Sequence, residues 1–313
     1  MPHQLRLAVT ADLHWGHRRG ADATRLLASY LESRPPDVLV LAGDVGTGAW
    51  FEECLALFDG LSCRKALVPG NHDLWVPPEA GYDSLALYER RLPQAAARHG
   101  FHYLDAGPLV LPEADLALVG SVNWYDYSWA LDGLRSHYPA ELGRLQTKRF
   151  ERGRHNDANF VRWPLDDAGF TARVVAALAG HLESALARVG RVIVVTHHPA
   201  FYGLSFPRPG PPVLLDSFLW DAFSGNTALE GVLARHAGRI ALAFSGHTHR
   251  ARETTWQGIR GYNVGGDYHF KRLLEIDWPG GAVVAHQFGD PAGGCPGSMT
   301  YSASSTRQSG GGR

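Results

Sequence analysis

The sequence predicts an α/β fold: a parallel sheet assembled from βαβ units, with antiparallel strands added toward the C-terminus. Three observations carry this. Short runs rich in Val, Leu and Ile alternate with helix-period segments through the first third of the chain. Regular patterning of the same kind returns after residue 170. Beyond Ile240 the apolar runs become short and closely spaced, as in antiparallel strands.

The elements follow in order. Leu5 to Thr10 reads as a buried strand. Ala23 to Ser33 reads as a helix, because Leu26, Leu27, Tyr30 and Leu31 share one face and Pro35-Pro36 stops it. Asp37 to Ala42 is a second buried strand, Ala49 to Phe58 a helix, and Lys65 to Val68 a third strand closed by Pro69-Gly70. Tyr82 to His99 has a helical pattern with Pro93 as a kink or boundary. Phe101 to Leu104, Leu109 to Leu111 and Leu116 to Gly120 read as short strands. Ser121 to Asp167 is irregular, aromatic and polar, as expected of an insertion, cap or substrate loop. Phe170 to Arg188 is an Ala/Leu/Val-rich helix, Arg191 to Val195 a buried strand, Thr227 to His236 a helix and Ile240 to Phe244 a strand. Arg252 to Trp256, Ile259 to Val264 and Phe270 to Trp278 read as three antiparallel strands, with Ala282 to His286 a candidate fourth. No linker divides the chain, so residues 1–289 are expected to form one domain with an insertion around 121–167. Residues 290–313, rich in Gly and Ser, carry too little apolar surface to order themselves.

Composition narrows the function. The 313 residues include 30 Lys+Arg against 31 Asp+Glu, a net charge of −1. That argues against a protein whose main task is coating nucleic acid or an anionic membrane. No run of eighteen apolar residues occurs, so no transmembrane helix is expected. The first residues lack the pattern of a signal peptide, and Cys54, Cys63 and Cys295 form neither a CxxC nor a disulfide framework; both point to the cytoplasm. The 16 histidines are the unusual feature. With so few thiols, a bound metal would sit among His, Asp and Asn.

Those residue types gather where strands run out. After the first strand stands Asp12-Leu13-His14, after the second Gly43-Asp44, and after the third Gly70-Asn71-His72-Asp73. The strand at 191–195 leads into Thr196-His197-His198-Pro199, and the strand at 240–244 into Gly246-His247-Thr248-His249. Open α/β sheets build their sites at these carboxyl ends. Any one motif is weak, but the five in this order are specific.

The set D-x-H, G-D, G-N-H-D, H-H-P and G-H-T-H resembles the calcineurin-like metallophosphoesterase superfamily. The resemblance implies an α/β/β/α sandwich of two mixed sheets flanked by helices, with a two-metal centre between the sheets. It covers the chain from Leu5 to about His286 but does not explain Tyr82 to Phe170. By motif, one metal takes Asp12, His14, Asp44 and His249. The other takes Asp44, Asn71, His197 and His247, with Asp44 bridging. A donor set of N and O without thiolate suits Mn, Fe or Zn, with Mn the ion expected to serve in vitro. The resemblance further implies that a metal-bridging hydroxide attacks phosphorus in line. His72 then protonates or stabilises the leaving oxygen, and Asp73 hydrogen-bonds and orients His72.

His198, His17, Asn123, Trp124 and Arg149 are candidate substrate contacts. Arg149 belongs to a basic stretch, Arg144 to Arg162. In it Arg144, Lys148 and Arg152 sit at the spacing of one helix face, solvated or folded over the metals as an anion-binding flap. Asn263-Val264-Gly265-Gly266-Asp267 stands where the family carries an N-x-G-[ST] turn, with Gly266 in place of the hydroxyl residue. The expected activity is hydrolysis of a small-molecule phosphodiester, such as a cyclic nucleotide. A phosphomonoesterase or Ser/Thr phosphoprotein phosphatase and a nuclease are the alternative activities, with nucleic acid not favoured. A non-catalytic binding scaffold of the same fold is the alternative of another class.

Overall fold

The computed structural model describes residues 3–206 and 213–290, together with the backbone of Ser302–Ser305. Two sheets pack face to face. In chain order, β1 (Leu5–Thr10), α1 (Ala21–Ser33), β2 (Val38–Ala42), α2 (Ala49–Ala56) and β3 (Arg64–Val68) form the expected βαβαβ start. Short helical segments α3 (Ser84–Ala86) and α4 (Leu92–Arg98) then lead to β4 (Phe101–Tyr103). These two are joined through one π-turn at Leu87–Arg91, directly before Pro93. A wider turn accommodates a proline that has no N–H to give to the ladder.

The second sheet starts with β5 (Leu109–Leu111) and β6 (Leu116–Ser121). Helices α5 (Ser128–His137), α6 (Gly143–Thr147) and α7 (Asp157–Phe160) lie in the predicted irregular stretch. After α8 (Asp167–Leu186) the chain forms β7 (Arg191–Thr196), α9 (Leu215–Ala222), α10 (Thr227–His236) and β8 (Ile240–Ser245). Both α8 and α10 begin on a side-chain cap: Asp166 accepts from the Gly169 N–H at 2.6 Å and Asn226 from the Leu229 N–H at 2.7 Å. The strands β9 (Arg252–Trp256), β10 (Ile259–Asn263), β11 (Lys271–Trp278), β12 (Ala282–Phe288) and β13 (Ser302–Ser305) complete the order.

One sheet runs β13-β12-β11-β1-β2-β3-β4 and the other β5-β6-β7-β8-β10-β9. The stretch from Arg252 to Trp278 differs from the sequence expectation of three antiparallel strands. β9 and β10 do form an antiparallel pair, but β10 lies parallel to β8, and β11 crosses to the first sheet, antiparallel to β1. The turn from Val264 to Asp267 makes that crossing, and Gly265 has the positive φ of 78° it requires. In the C-terminal segment, Ser302–Ser305 pairs antiparallel with β12, contrary to the expectation that none of it orders. Edge pairing uses backbone hydrogen bonds and needs no apolar side chain. Residues 291–301 and 306–313, Cys295 among them, lie outside the described residues.

The central strands β1, β2, β3, β6, β7 and β8 are buried on both faces, which is why they read as unbroken hydrophobic runs. Leu7, Val9, Val40, Val68, Leu118, Val195 and Phe244 fill the space between the sheets. Their neighbours Ala8, Leu39, Leu41 and Leu67 face α1, α2 and α4, while Val119, Val192 and Val194 face α8 and α10. Burying both faces of these strands leaves their ends as a place where polar groups can gather. α5 packs on α9, and the inserted helices join the core that covers the outer face of the first sheet, with Ala130, Leu134 and Phe218 in the same cluster as Leu39 and Leu41. Among the described residues no helix is long and apolar enough to cross a membrane.

Candidate metal centre

Asp12 and His14 leave β1, Asp44 leaves β2, Asn71 and His72 leave β3, His197 and His198 leave β7, and His247 and His249 leave β8. The backbone bends sharply there. Among the described residues ten non-glycines have positive φ, and five of them are Asp12, His14, Asp44, His247 and His249. Such conformations cost on the order of 1–3 kcal/mol each and persist only where neighbours enforce them. The loops brace one another: the Asp12 N–H donates to Gly43 O at 3.0 Å, the His14 N–H to Asp44 O at 2.8 Å and the Gly246 N–H to His197 O at 3.0 Å. A Cβ on Gly43 would collide with the His197 ring, and one on Gly70 with Asp44, so glycine is required for the loops to approach this closely.

The donor atoms of Asp12, His14, Asp44 and His249 all lie within 4.8 Å of one another. His14 Nε2 is 3.0 Å from His249 Nε2 and 3.5 Å from Asp44 Oδ2, and His249 Nε2 is 3.7 Å from Asp12 Oδ1. Ligands bound at about 2.0–2.2 Å around one cation are separated by roughly these distances. Asp12 Oδ2 is buried without a hydrogen-bond partner, an orphan that a cation would satisfy. Beside this group, Asn71 Oδ1 is 3.1 Å from His197 Nε2 and 3.3 Å from His247 Nδ1. His197 Nε2 is 3.4 Å from Asp44 Oδ1. Asp44 thus turns Oδ2 to the first group and Oδ1 to the second, the disposition a bridging carboxylate needs. The donor set fits divalent cations.

Outer contacts aim these donors. His197 Nδ1 bonds Ala42 O at 3.0 Å, which leaves Nε2 facing inward. The Asn71 amide donates from Nδ2 to Asp157 Oδ1 at 2.8 Å, which leaves Oδ1 facing inward. Asp267 Oδ1 stands 3.7 Å behind His249 Nδ1. Lys271 is buried and donates to Asp12 O at 3.0 Å, pinning the first loop from below. Burial opposes charge throughout, and it depresses the pKa of His14 and His247. It works against the Asp44 carboxylate too, but His197, His72 and His14 around it prevail and hold its pKa well below the usual range. Asp44 in turn overcomes burial at His197 and raises that imidazole's pKa to about 9. A cation must displace that proton, so its binding strengthens as pH rises.

His72 stands apart from the donors. Its Nε2 is 3.9 Å from Asp44 Oδ2, and its ring stacks on Trp75 with centroids 3.6 Å apart. The sequence reading pairs it with Asp73, and the structure corrects this. The Asp73 carboxylate accepts the N–H groups of Val45, Gly46 and Gly70 at 3.2, 2.8 and 2.7 Å, tying two loops together. His72 begins a 3-10 turn, His72–Leu74, in which successive side chains diverge by about 120°. One side chain therefore enters the site while the next enters the core.

A cavity of about 440 Å³ opens over His72, Asn71, Asp44, His247 and His249. Trp75, Phe150, Phe206, Trp220 and Tyr268 form its walls, with Arg152, Arg154 and His155 contributed by the insertion. Of the substrate candidates, the structure places none on this wall. Trp124 is buried and donates to Asp167 at 2.9 Å. Asn123 donates to His198 O and Pro199 O and accepts from Asn226, fastening loops beneath the site. His198 is buried, its ring 4.2 Å from that of His247. His17 is exposed at the rim, 4.8 Å from the Tyr268 ring, and Arg149 is exposed outside the cavity. The basic stretch does not form one helix face: Lys148, at φ 51°, ends α6 and pairs with Asp167 at 2.7 Å. Arg152 and Arg154 are its cavity residues. The motifs do not point to Trp75, Asp157, Tyr268 or Lys271, and Asp267, which closes the turn at 263–267, takes a place behind His249 that the turn alone does not reveal.

The profile of the calcineurin-like phosphoesterases matches residues 5–251. No curated protein matches the chain. Among solved structures, a phosphopantetheinyl hydrolase from Mycobacterium tuberculosis superposes with a TM-score of 0.66 at 24% identity, over 84% of this chain and 89% of the other. A dimetal phosphatase from Danio rerio superposes with a TM-score of 0.56 at 16% identity, over 92% and 96%. These two likenesses establish the fold. With the profile spanning all five strand-end motifs, the chain belongs to the calcineurin-like phosphoesterase family.

Proposed function

We propose that the protein is a binuclear metal-dependent phosphodiesterase acting on a small-molecule ester. The observation that carries this is the cavity of about 440 Å³ over the two donor groups. Its volume suits a small molecule rather than a protein surface or a duplex. A diester places a second substituent beyond the scissile phosphorus, and the aromatic wall of Trp75, Phe150, Phe206 and Trp220 offers that substituent apolar contact. Arg152 and Arg154 add positive charge for an anionic group on the same substrate.

Bound metals would polarise the phosphoryl oxygens and lower the pKa of water. Asp12, His14, Asp44 and His249 would hold one, and Asp44, Asn71, His197 and His247 the other. His72, one-fifth exposed to the cavity, is placed to meet the leaving oxygen as proton donor or charge stabiliser. Cys54 and Cys63 are free thiols, which suits a cytoplasmic setting.

The test is a substrate panel with Mn, Fe or Zn supplied to metal-free protein. It comprises bis-p-nitrophenyl phosphate, p-nitrophenyl phosphate, cyclic nucleotides, a phosphopantetheinyl ester, a phosphopeptide and single-stranded nucleic acid. The expected result is a higher kcat/KM on small diesters than on the monoester or the polymers. Preference for the monoester or phosphopeptide identifies a phosphatase, and preference for the polymer a nuclease. No hydrolysis with any metal identifies a binding scaffold.

A further inference from the structure

We infer that Asp157, supplied by the insertion, is the positioning residue of the metal centre: one buried carboxylate that sets both the Asn71 ligand and the His72 ring. This rests on the binuclear reading above and deepens it.

Asp157 is fully buried. Its Oδ1 accepts the Asn71 Nδ2–H and the Trp75 Nε1–H, each at 2.8 Å. Its Oδ2 accepts the Tyr125 hydroxyl at 2.9 Å and lies 3.3 Å from His155 Nδ1. An Asn side chain presents two chemically opposite ends, and only the carbonyl oxygen ligates a cation. By taking the NH2 end, Asp157 fixes the flip and turns Asn71 Oδ1 toward His197 and His247. By taking the Trp75 indole N–H, the same oxygen fixes the ring on which His72 stacks, 3.6 Å away. The ligand and the group facing the leaving oxygen are thus registered to one atom. Ligand orientation by outer contacts of this kind is worth about 10–100-fold in metal affinity or activity.

The scaffold motifs supply no such partner. Asp157 opens the four-residue α7, and Tyr125, which anchors its other oxygen, stands on the loop after β6. Opposing contacts on the two oxygens hold the carboxyl plane, so the fold of the insertion and the geometry of the centre are coupled at this residue.

The role is hydrogen-bonding geometry, which separates two substitutions. In Asp157→Asn the remaining carbonyl oxygen can still accept from both Asn71 and Trp75, while the new amide can donate to Tyr125 Oη. In Asp157→Ala the Asn71 amide is free to flip. Metal content after dialysis against a weak chelator and kcat with bis-p-nitrophenyl phosphate are the readouts. Wild type and Asp157→Asn are expected to keep two metals, with kcat within about threefold of each other. Asp157→Ala is expected to retain one metal and to lose about 10–100-fold in kcat with KM little changed. Two metals and unchanged kcat in Asp157→Ala overturn the inference, as does loss in Asp157→Asn equal to that in Asp157→Ala. If Asp157→Ala does not fold, Trp75→Phe removes the indole N–H together with the second ring, while keeping an aromatic ring for His72 to stack on. It is expected to lower kcat several-fold at full metal content, and an unchanged kcat then overturns the inference. Wild type that binds fewer than two metals and hydrolyses no ester refutes the binuclear reading itself, a result separate from any effect of Asp157.

Discussion

His72→Ala tests the division between ligands and catalyst most directly. His72 Nε2 lies 3.9 Å from Asp44 Oδ2, and its ring is held by stacking on Trp75 and by the edge of His14. Removing it leaves both donor groups intact, so metal content should stay at the wild-type value. What is lost is a proton donor or localised positive charge at the leaving oxygen, worth about 10²–10⁴ in rate. That corresponds to about 3–5 kcal/mol of transition-state stabilisation. The assay is kcat on a series of aryl phosphodiesters with leaving groups of rising pKa, alongside metal analysis. A proton donor matters most for poor leaving groups, so the deficit should widen along the series. A uniform deficit would assign His72 to electrostatic stabilisation of the phosphoryl oxygens. Loss of one metal from His72→Ala, or a kcat within threefold of wild type, would refute the assignment.

Two further outcomes are expected. Asp44→Ala removes the one carboxylate that faces both donor groups, so metal content should fall to near zero and activity with it. Retention of one metal with measurable turnover would show that Asp44 does not bridge. Asp105, buried between β4 and β6, has its pKa raised to about 6 by burial, against the opposing hydrogen bonds from the Val122 N–H and Tyr88 hydroxyl. The folded protein therefore holds a proton that the unfolded chain releases near pH 4. The group's stabilisation is complete below about pH 4 and is lost as pH rises through about 6, a change of about 3 kcal/mol for a shift of about two units. Asp105→Asn should abolish that slope in the unfolding free energy measured by denaturant at pH 4 to 7, and a difference from wild type that is flat with pH would count against it.

The candidate donors are legible because each lies within a few residues of an apolar strand, and strand, turn and donor are local features of one motif. Two layers were not. The first is the direction of a side chain inside a motif: G-N-H-D places His72 and Asp73 side by side in sequence, but a 3-10 turn sends one to the cavity and the other to three backbone amides. The second is pairing at a distance. β9 and β10 carry the pattern of a hairpin and form one, yet nothing local in Ile259–Asn263 says that its other neighbour is β8 in parallel. α9 is only eight residues long and offers no long periodic run to mark it as a helix. Nothing local marks Asp157, because its partners Asn71 and Trp75 are more than eighty residues away.

The distribution of strain separates what the scaffold decides from what the insertion decides. Five metal-facing residues hold left-handed backbone, each braced by a neighbouring loop, so the donor positions cannot adjust to a substrate without unfolding the strand ends. The substrate wall is built differently. Arg152 and Arg154 stand on an exposed stretch between α6 and α7, and Trp220 is 41% exposed on α9, positions where side chains change at little cost to the core. On the proposed function, chemistry and selectivity would reside in different parts of the chain, and Asp157 is where the two parts touch. A change of substrate can come from replacing Arg152, Arg154 or Trp220 alone, whereas replacing the insertion wholesale also removes the partner that turns Asn71 toward the metals. Variants at those three wall positions should shift KM among diesters while metal content stays constant. Exchange of the stretch containing Asp157 should lower both, unless the new segment returns an acceptor within hydrogen-bonding reach of the Asn71 amide.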